Sequence, residues 1–404
     1  MRAGGVERLD AVEDRDEDIV FGHVLTVSVT GVGVNDGNPT HSAIGQTGSV
    51  AAAEVDWSER ADIAEQAVVR RHLRRVARVV PGTRIGRVRW PRALPAPLSP
   101  WHYWWQAHLL DCLLDAQLRS PAQRRAHAIT ALVRGVHLRN AGSWLNRYYD
   151  DIAWLGLAVQ RAGALAGRSG PPALTAIVNR LHEGWTEGAG GGIWWRRDDD
   201  FKNAPANGPA AILLARDDQV AFAAAIADWM AETLVDPDSG LVRDGVRLAS
   251  DGSIRAIEPY IYTYCQGVHL GACVELAERD GHHRFTDRAI AIVDAMTQRL
   301  ADPRGVLPGS GGGDGGLFAG ITARYLADVA LRMPELAGPA ARIVQAGALA
   351  VWNGRAETRG GPVFSAEWGR PAFEPRRGVP EADLSVQLSG WMVLEAAARL
   401  QRAG

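Results

Sequence analysis

The chain has almost no lysine: of its 44 basic residues only Lys202 is not an arginine. Ammonium and guanidinium differ in shape and donor geometry, so a single lysine kept in such a background marks a place where guanidinium does not fit. Cysteine is scarce too. Cys112, Cys265 and Cys273 form no C-x-x-C pair and no zinc-finger spacing, which excludes a disulfide framework and leaves buried structural thiols. Charge of one sign is missing: 46 acidic residues against 44 basic ones give a net charge of -2, so no global field points to nucleic acid or an anionic membrane as partner. No apolar run approaches the roughly 20 residues needed to cross a bilayer. Nor is there an export signal, because acids crowd residues 7–18, the wrong sign for such a segment. The chain as written is therefore expected in the cytoplasm, and exported only if translation starts elsewhere. Fixed-period self-similarity is absent, which argues against a helical solenoid.

What is present is helix. From Asp56 onward, periodicity and start/stop signals predict twelve helices, over 58–79, 102–118, 121–138, 150–163, 171–186, 206–215, 217–235, 261–279, 282–300, 317–331, 334–352 and 381–401. Pro121 and the Pro171-Pro172 pair sit at first turns, where a missing N–H costs nothing. Strand-like runs are short and confined to connections, as at 192–195 and 241–243. Twelve helices joined alternately by short and long connections fit an all-α (α/α)6 barrel. The expected division is a poorly ordered leader over residues 1–55 and one domain over 56–404. In a closed toroid the long connections gather at one end, and candidate site residues belong there.

The most informative run is Trp144 to Trp154, which carries the adjacent pair Asp150 and Asp151 among Trp144, Tyr148, Tyr149 and Trp154. Neighbouring carboxylates repel, and aromatic burial makes this worse. Glycoside hydrolysis has a use for such a pair: one carboxylate attacks or stabilises the anomeric carbon, the other protonates the departing oxygen. An acid-rich helix start is the alternative reading. In the second run, Gly190 to Trp195 followed by Phe201 to Asn207, the rings of Trp194 and Trp195 offer stacking faces. Lys202, Asn203 and Asn207 offer donors and acceptors to sugar hydroxyls; alternatively the glycines make a plain turn and Asn203 or Asn207 caps the next helix. Asp244 sits on a tight turn. Tyr260 to Gly267 opens a helix and places Tyr264 and Gln266 near a cavity mouth. The run Gly309–Gly316 lacks the Lys-Ser/Thr of a phosphate loop and reads as a mobile loop at the rim. Arg324 reads as an ion-pairing helix residue, and His102, His108 and His269 as packing residues. Fourteen tryptophans against seven phenylalanines add stacking faces with a donor, beyond what a core needs.

In this order, Tyr-Tyr-Asp-Asp-Ile-Ala-Trp, Gly-Gly-Ile-Trp-Trp with Lys-Asn-Ala-Pro-Ala-Asn, Gly-Leu-Val-Arg-Asp-Gly and Tyr-Thr-Tyr-Cys-Gln-Gly resemble glycoside hydrolase family 76, the endo-acting α-1,6-mannanases. The resemblance runs from about Trp57 to the last helix. It implies an (α/α)6 barrel, with Asp150 as nucleophile and Asp151 as acid/base of a retaining double displacement. By the same resemblance Tyr149, Trp194, Trp195, Lys202, Asn203, Asn207, Asp244, Tyr264 and Gln266 line sugar subsites. Cys265 departs from the pattern, standing where a polar, Asn-like residue is expected. The implied partner is α-mannan or a manno-oligosaccharide, with no cofactor, metal, nucleic acid or membrane. Transglycosylation on the same scaffold and non-catalytic glycan binding are the alternatives.

Overall fold

The computed structural model describes residues 55–91, 101–167, 172–281 and 283–404; apart from Val55, the expected leader lies outside them. Twelve α-helices are found among the described residues. They are α1 (Trp57–His72), α2 (Tyr103–Arg119), α3 (Gln123–Arg139), α4 (Tyr149–Leu165), α5 (Pro172–Gly184) and α6 (Ala204–Arg216). The second half adds α7 (Val220–Leu234), α8 (Thr263–Arg279), α9 (Arg284–Ala295), α10 (Phe318–Arg332), α11 (Ala337–Asn353) and α12 (Leu384–Ala403). Each coincides with a helix read from the sequence. The first is the least well bounded: it ends at His72 rather than residue 79, because the chain turns there into a short strand.

The even-numbered helices form a closed ring in which each packs on the next and α12 returns to α2. The odd-numbered helices lie outside it, α3 on α2, α5 on α4, α7 on α6, α9 on α8, α11 between α10 and α12, and α1 on α12. Burial explains the assignment. Helix α6 is buried from Ala204 to Ala215, whereas α9 buries one stripe; a helix apolar on all sides goes inside. Closing the ring also needs close approach. A Cβ on Gly208 would lie 2.4 Å from Val268, and one on Gly320 would lie 2.5 Å from the Ser389 backbone.

Short turns such as 120–122, 217–219 and 333–336 join each inner helix to the following outer one. All inner helices therefore start at the same end, and the long connections collect there. Small antiparallel ladders lie within them: β1 (Leu73–Arg74) with β2 (Ile85–Gly86), β3 (Phe201–Asn203) with β4 (Gly245–Leu248) and β5 (Ile254–Glu258), and β6 (Ala356–Thr358) with β7 (Gly361–Val363). The runs at 192–195 and 241–243 contribute only single bridges, Trp185 to Ile193, Trp194 to Lys202 and Val235 to Val242. The longer ladder forms a few residues further on, where alternation is too short to read.

One device recurs near the start of four inner helices. The Gln106 amide accepts from the Gly86 N–H (2.7 Å) and donates to the Gly86 carbonyl. Asn207 does the same with Ile193, Gln266 with Val242 and Gln387 with Phe364. Each amide imitates one rung of a β-ladder and clamps a long connection to the helix it precedes. A buried backbone pair left without its partner is expensive. Gln387→Leu, which keeps the volume, is expected to cost about 2–3 kcal/mol, read as a lower denaturant midpoint at unchanged slope.

Candidate active site

Asp150 and Asp151 occupy the first turn of α4, where free backbone N–H groups favour negative charge. The turn is fixed from outside: the Tyr149 N–H donates to the Trp195 carbonyl (2.8 Å). Asp150 is held at both oxygens, by the Asp151 N–H (2.8 Å) and by the Trp195 indole N–H (3.0 Å). Asp151 is held at one oxygen only, by the Asn146 amide (2.5 Å), whose own oxygen accepts from the Tyr148 N–H. Among the described residues nothing donates to its other oxygen, which is not sealed from solvent. Tyr103 donates to the Trp144 carbonyl (2.6 Å) and so steadies the connection that carries Asn146.

A third carboxylate completes the cluster. Asp314 lies on a short 3₁₀ turn (Gly313–Leu317) that runs into α10, and one of its oxygens accepts from both the Trp104 (3.0 Å) and Trp105 (2.7 Å) indoles. The run's glycines and its lack of a phosphate-loop signature predict a mobile loop at the rim. It is instead tied down, by these indoles and by the Gly313 N–H donating to Asp383 (2.8 Å). The signal that could have found Asp314 is its place: a carboxylate close to the start of an inner helix, as with Asp150 and Asp151.

Burial raises the Asp150 carboxyl to about 7, helped by the Asp314 charge and opposed by the Asp151 N–H and Trp195 hydrogen bonds. Asp151 is raised well above the usual carboxylate range by burial first and by the Asp150 and Asp314 charges next. Asp244 lies near, its carboxyl pushed up to about 7 by burial and the Glu258 charge. The Cys265 thiol reaches an Asp244 oxygen at 3.9 Å, so the residue that departs from the family pattern still offers a weak donor there. Tyr264 stacks on Phe318 (3.8 Å between centroids, planes 2° apart), and its phenol is raised by burial and by the charges of Asp244, Asp150 and Asp314. Residues far apart in sequence thus meet at the starts of α4, α8 and α10.

The other residues read from the sequence lie in supporting positions, and three are corrected. Lys202 is fully buried and spends its three donors on the carbonyls of Thr186 (2.7 Å), Gly188 (2.8 Å) and Gly191 (2.6 Å), leaving none for a sugar. Asn207 and Gln266 are fully buried and used up by the amide clamps and one further carbonyl each, of Asn203 and Tyr262. Asn203 caps α6 through the Ala206 N–H (3.2 Å). Tyr149 packs its buried ring against Gly184. Trp194, half-buried, covers the Lys202 ammonium at 4.6 Å, while Trp195 alone of this stretch touches a site carboxylate. A sequence shows that a side chain can donate; it does not show that backbone has already claimed it.

Among the described residues, no group of acidic, histidine or cysteine side chains is arranged to hold a metal ion, and no helix is long and apolar enough to cross a membrane. A comparison with curated proteins finds no match. Among solved structures, the GH76A α-1,6-mannanase of Salegentibacter sp. HEL1_6 is similar at 31% identity, with a TM-score of 0.75, over 85% of this chain and 100% of that one. An inactive variant of that enzyme, with two consecutive aspartates changed to asparagine, is in complex with α-1,6-mannotriose; it matches at 30% identity and a TM-score of 0.75, over 85% of this chain and 100% of that one. The Lin0763 protein of Listeria innocua is similar at 27% identity, with a TM-score of 0.75, over 87% of this chain and 99% of that one. The sequence pattern of Glycosyl hydrolase family 76 matches residues 59–401, and the chain, an (α/α)6 toroid, belongs to that family.

Proposed function

We propose that this glycoside hydrolase cleaves α-1,6-mannosidic bonds with retention of configuration, with Asp150 as nucleophile and Asp151 as acid/base. The observation that carries the roles is the unequal bonding of the pair. Asp150, with both oxygens held, is the one favoured as carboxylate; Asp151, with one oxygen free and its carboxyl raised further, is the one that keeps a proton. Asp150 attacks the anomeric carbon as Asp151 passes its proton to the leaving oxygen. Water then gives a proton back to Asp151 and attacks the same carbon, releasing Asp150. The similarity to an enzyme in complex with α-1,6-mannotriose supports the substrate class. Following α-1,6-mannotetraose by proton NMR tests both parts: the first product carries the α-anomer, and a first product carrying the β-anomer would exclude retention.

Asp314 gives a pH signature. Its charge raises both carboxyls. Activity requires Asp150 ionised and Asp151 protonated, so kcat/KM falls on the acid side as Asp150 gains a proton and on the alkaline side as Asp151 loses one. Asp314→Asn lowers both values, and both limbs are expected to move toward lower pH by about half to one unit. A merely structural role would lower the curve without moving it.

A further inference from the structure

At the opposite end of the ring, where the inner helices finish, a cavity of about 460 Å³ opens among α2, α4, α6, α10 and α12. Its chemistry is ionic. Arg161 and Arg324 both grip Asp111 and Asp115, which stand one turn apart on α2. Arg324 reaches them from α10, which is not a ring neighbour of α2, so this pair spans the axis. Arg399 pairs with Asp328 at 2.7 Å. These three guanidinium groups and three carboxylates balance in charge.

Two further cations line the cavity without full compensation. Arg216 pairs with Glu275, but that carboxylate is shared with Arg279 and Arg332. Arg402 makes no ion pair or hydrogen bond among the described residues, and Glu395, the nearest acid acting on it, is already held by Arg119. Two buried polar atoms on the cavity-lining residues also lack partners: the Nε–H of Arg324, itself 8% exposed, and the amide oxygen of Gln160.

Neutralising helix C-termini is the plain structural use for arginines here. It suits Arg216 and Arg402, which lie in last turns. It does not explain Arg324, which sits midway along α10 with its Nε–H unused. An excess of guanidinium around an open cavity, a buried donor lacking an acceptor and an acceptor lacking a donor together describe a place for an oxyanion on a hydroxylated carrier. Planar guanidinium forks match phosphate oxygens in pairs, and the volume lies in the range of small-molecule sites.

We propose that this cavity is a second ligand site, separate from the carboxylate cluster, that takes a small phosphate, free or esterified to a short polyol. Isothermal titration of the full chain with inorganic phosphate and with glycerol 3-phosphate, against glycerol and sodium chloride at matched ionic strength, tests it. At least one phosphate compound is expected to give saturable one-to-one heat, and the tighter of the two shows whether the group arrives free or as an ester. Arg402→Gln is expected to weaken that binding at least tenfold. Arg402 is exposed near the chain end, so its loss leaves the fold in place; Arg161→Gln is a second variant, expected to weaken binding as well while Arg324 still holds both aspartates. No saturable heat beyond the chloride control, or binding unchanged in both variants, would overturn the proposal and leave the cluster as an ion-pair network only.

Discussion

Asp150→Asn is expected to lower turnover of α-1,6-mannotetraose by a factor of roughly a thousand or more, since it removes the proposed attacking group while leaving its indole and backbone partners in place. Asp151→Asn is expected to do comparable harm to the same substrate, for a different reason. The two separate on an aryl mannoside whose leaving group needs no proton. There Asp151→Asn keeps a fast first step and stalls at the glycosyl-enzyme, and added azide rescues it; Asp150→Asn recovers nothing. Full activity of either variant on the oligosaccharide would remove the assigned roles.

The same substitutions carry a stability signature of opposite sign. Both carboxyls hold their protons more tightly folded than unfolded. Their charged forms therefore weaken the fold progressively as pH rises from the ordinary carboxylate range through the raised values. Replacing either by asparagine is expected to raise the melting temperature by about 1–3 °C near neutrality, and to leave it unchanged at pH 4. An active site that is costly to keep ionised behaves in this way.

The second large effect concerns Lys202. Its ammonium ties together the carbonyls of Thr186, Gly188 and Gly191, on a turn where Gly190 (φ 76°), Gly191 (φ 136°) and Gly192 (φ 93°) take left-handed backbone. Lys202→Met keeps length and apolar packing but leaves the Thr186 and Gly191 carbonyls without a donor among the described residues and the Gly188 carbonyl with the Gly191 N–H alone (3.3 Å), and is expected to cost about 2–4 kcal/mol by chemical denaturation. Lys202→Arg preserves the charge. A planar fork cannot aim three donors at converging oxygens, so it is expected to cost about half as much. Because this turn leads into Trp195, and Trp195 holds Asp150, both variants should lose activity before they lose secondary structure.

The toroid was legible because helical periodicity with start and stop signals marks twelve segments, and because short turns alternate with long connections. The adjacent aspartates were legible because nothing in folding calls for them. Asp314 escaped, since a lone acid in a glycine-rich run carries no local sign that two indoles from α2 converge on it. Lys202 was half understood: its rarity pointed to a place closed to guanidinium, yet its donors were assigned to sugar rather than to backbone. Asn207 and Gln266 misled for the same reason. An amide clamp looks, in sequence, like a ligand-binding amide, and only the partner's position distinguishes them.

The amide clamps have a consequence for how this enzyme can change. Each secures a connection at one rung close to the helix it serves, so stretches away from that rung, such as the exposed turn at 376–378, are relieved of holding the connection in register. Those outlying spans are free to lengthen, shorten or swap their composition. What the rim grips can drift while the reacting pair stays where it is.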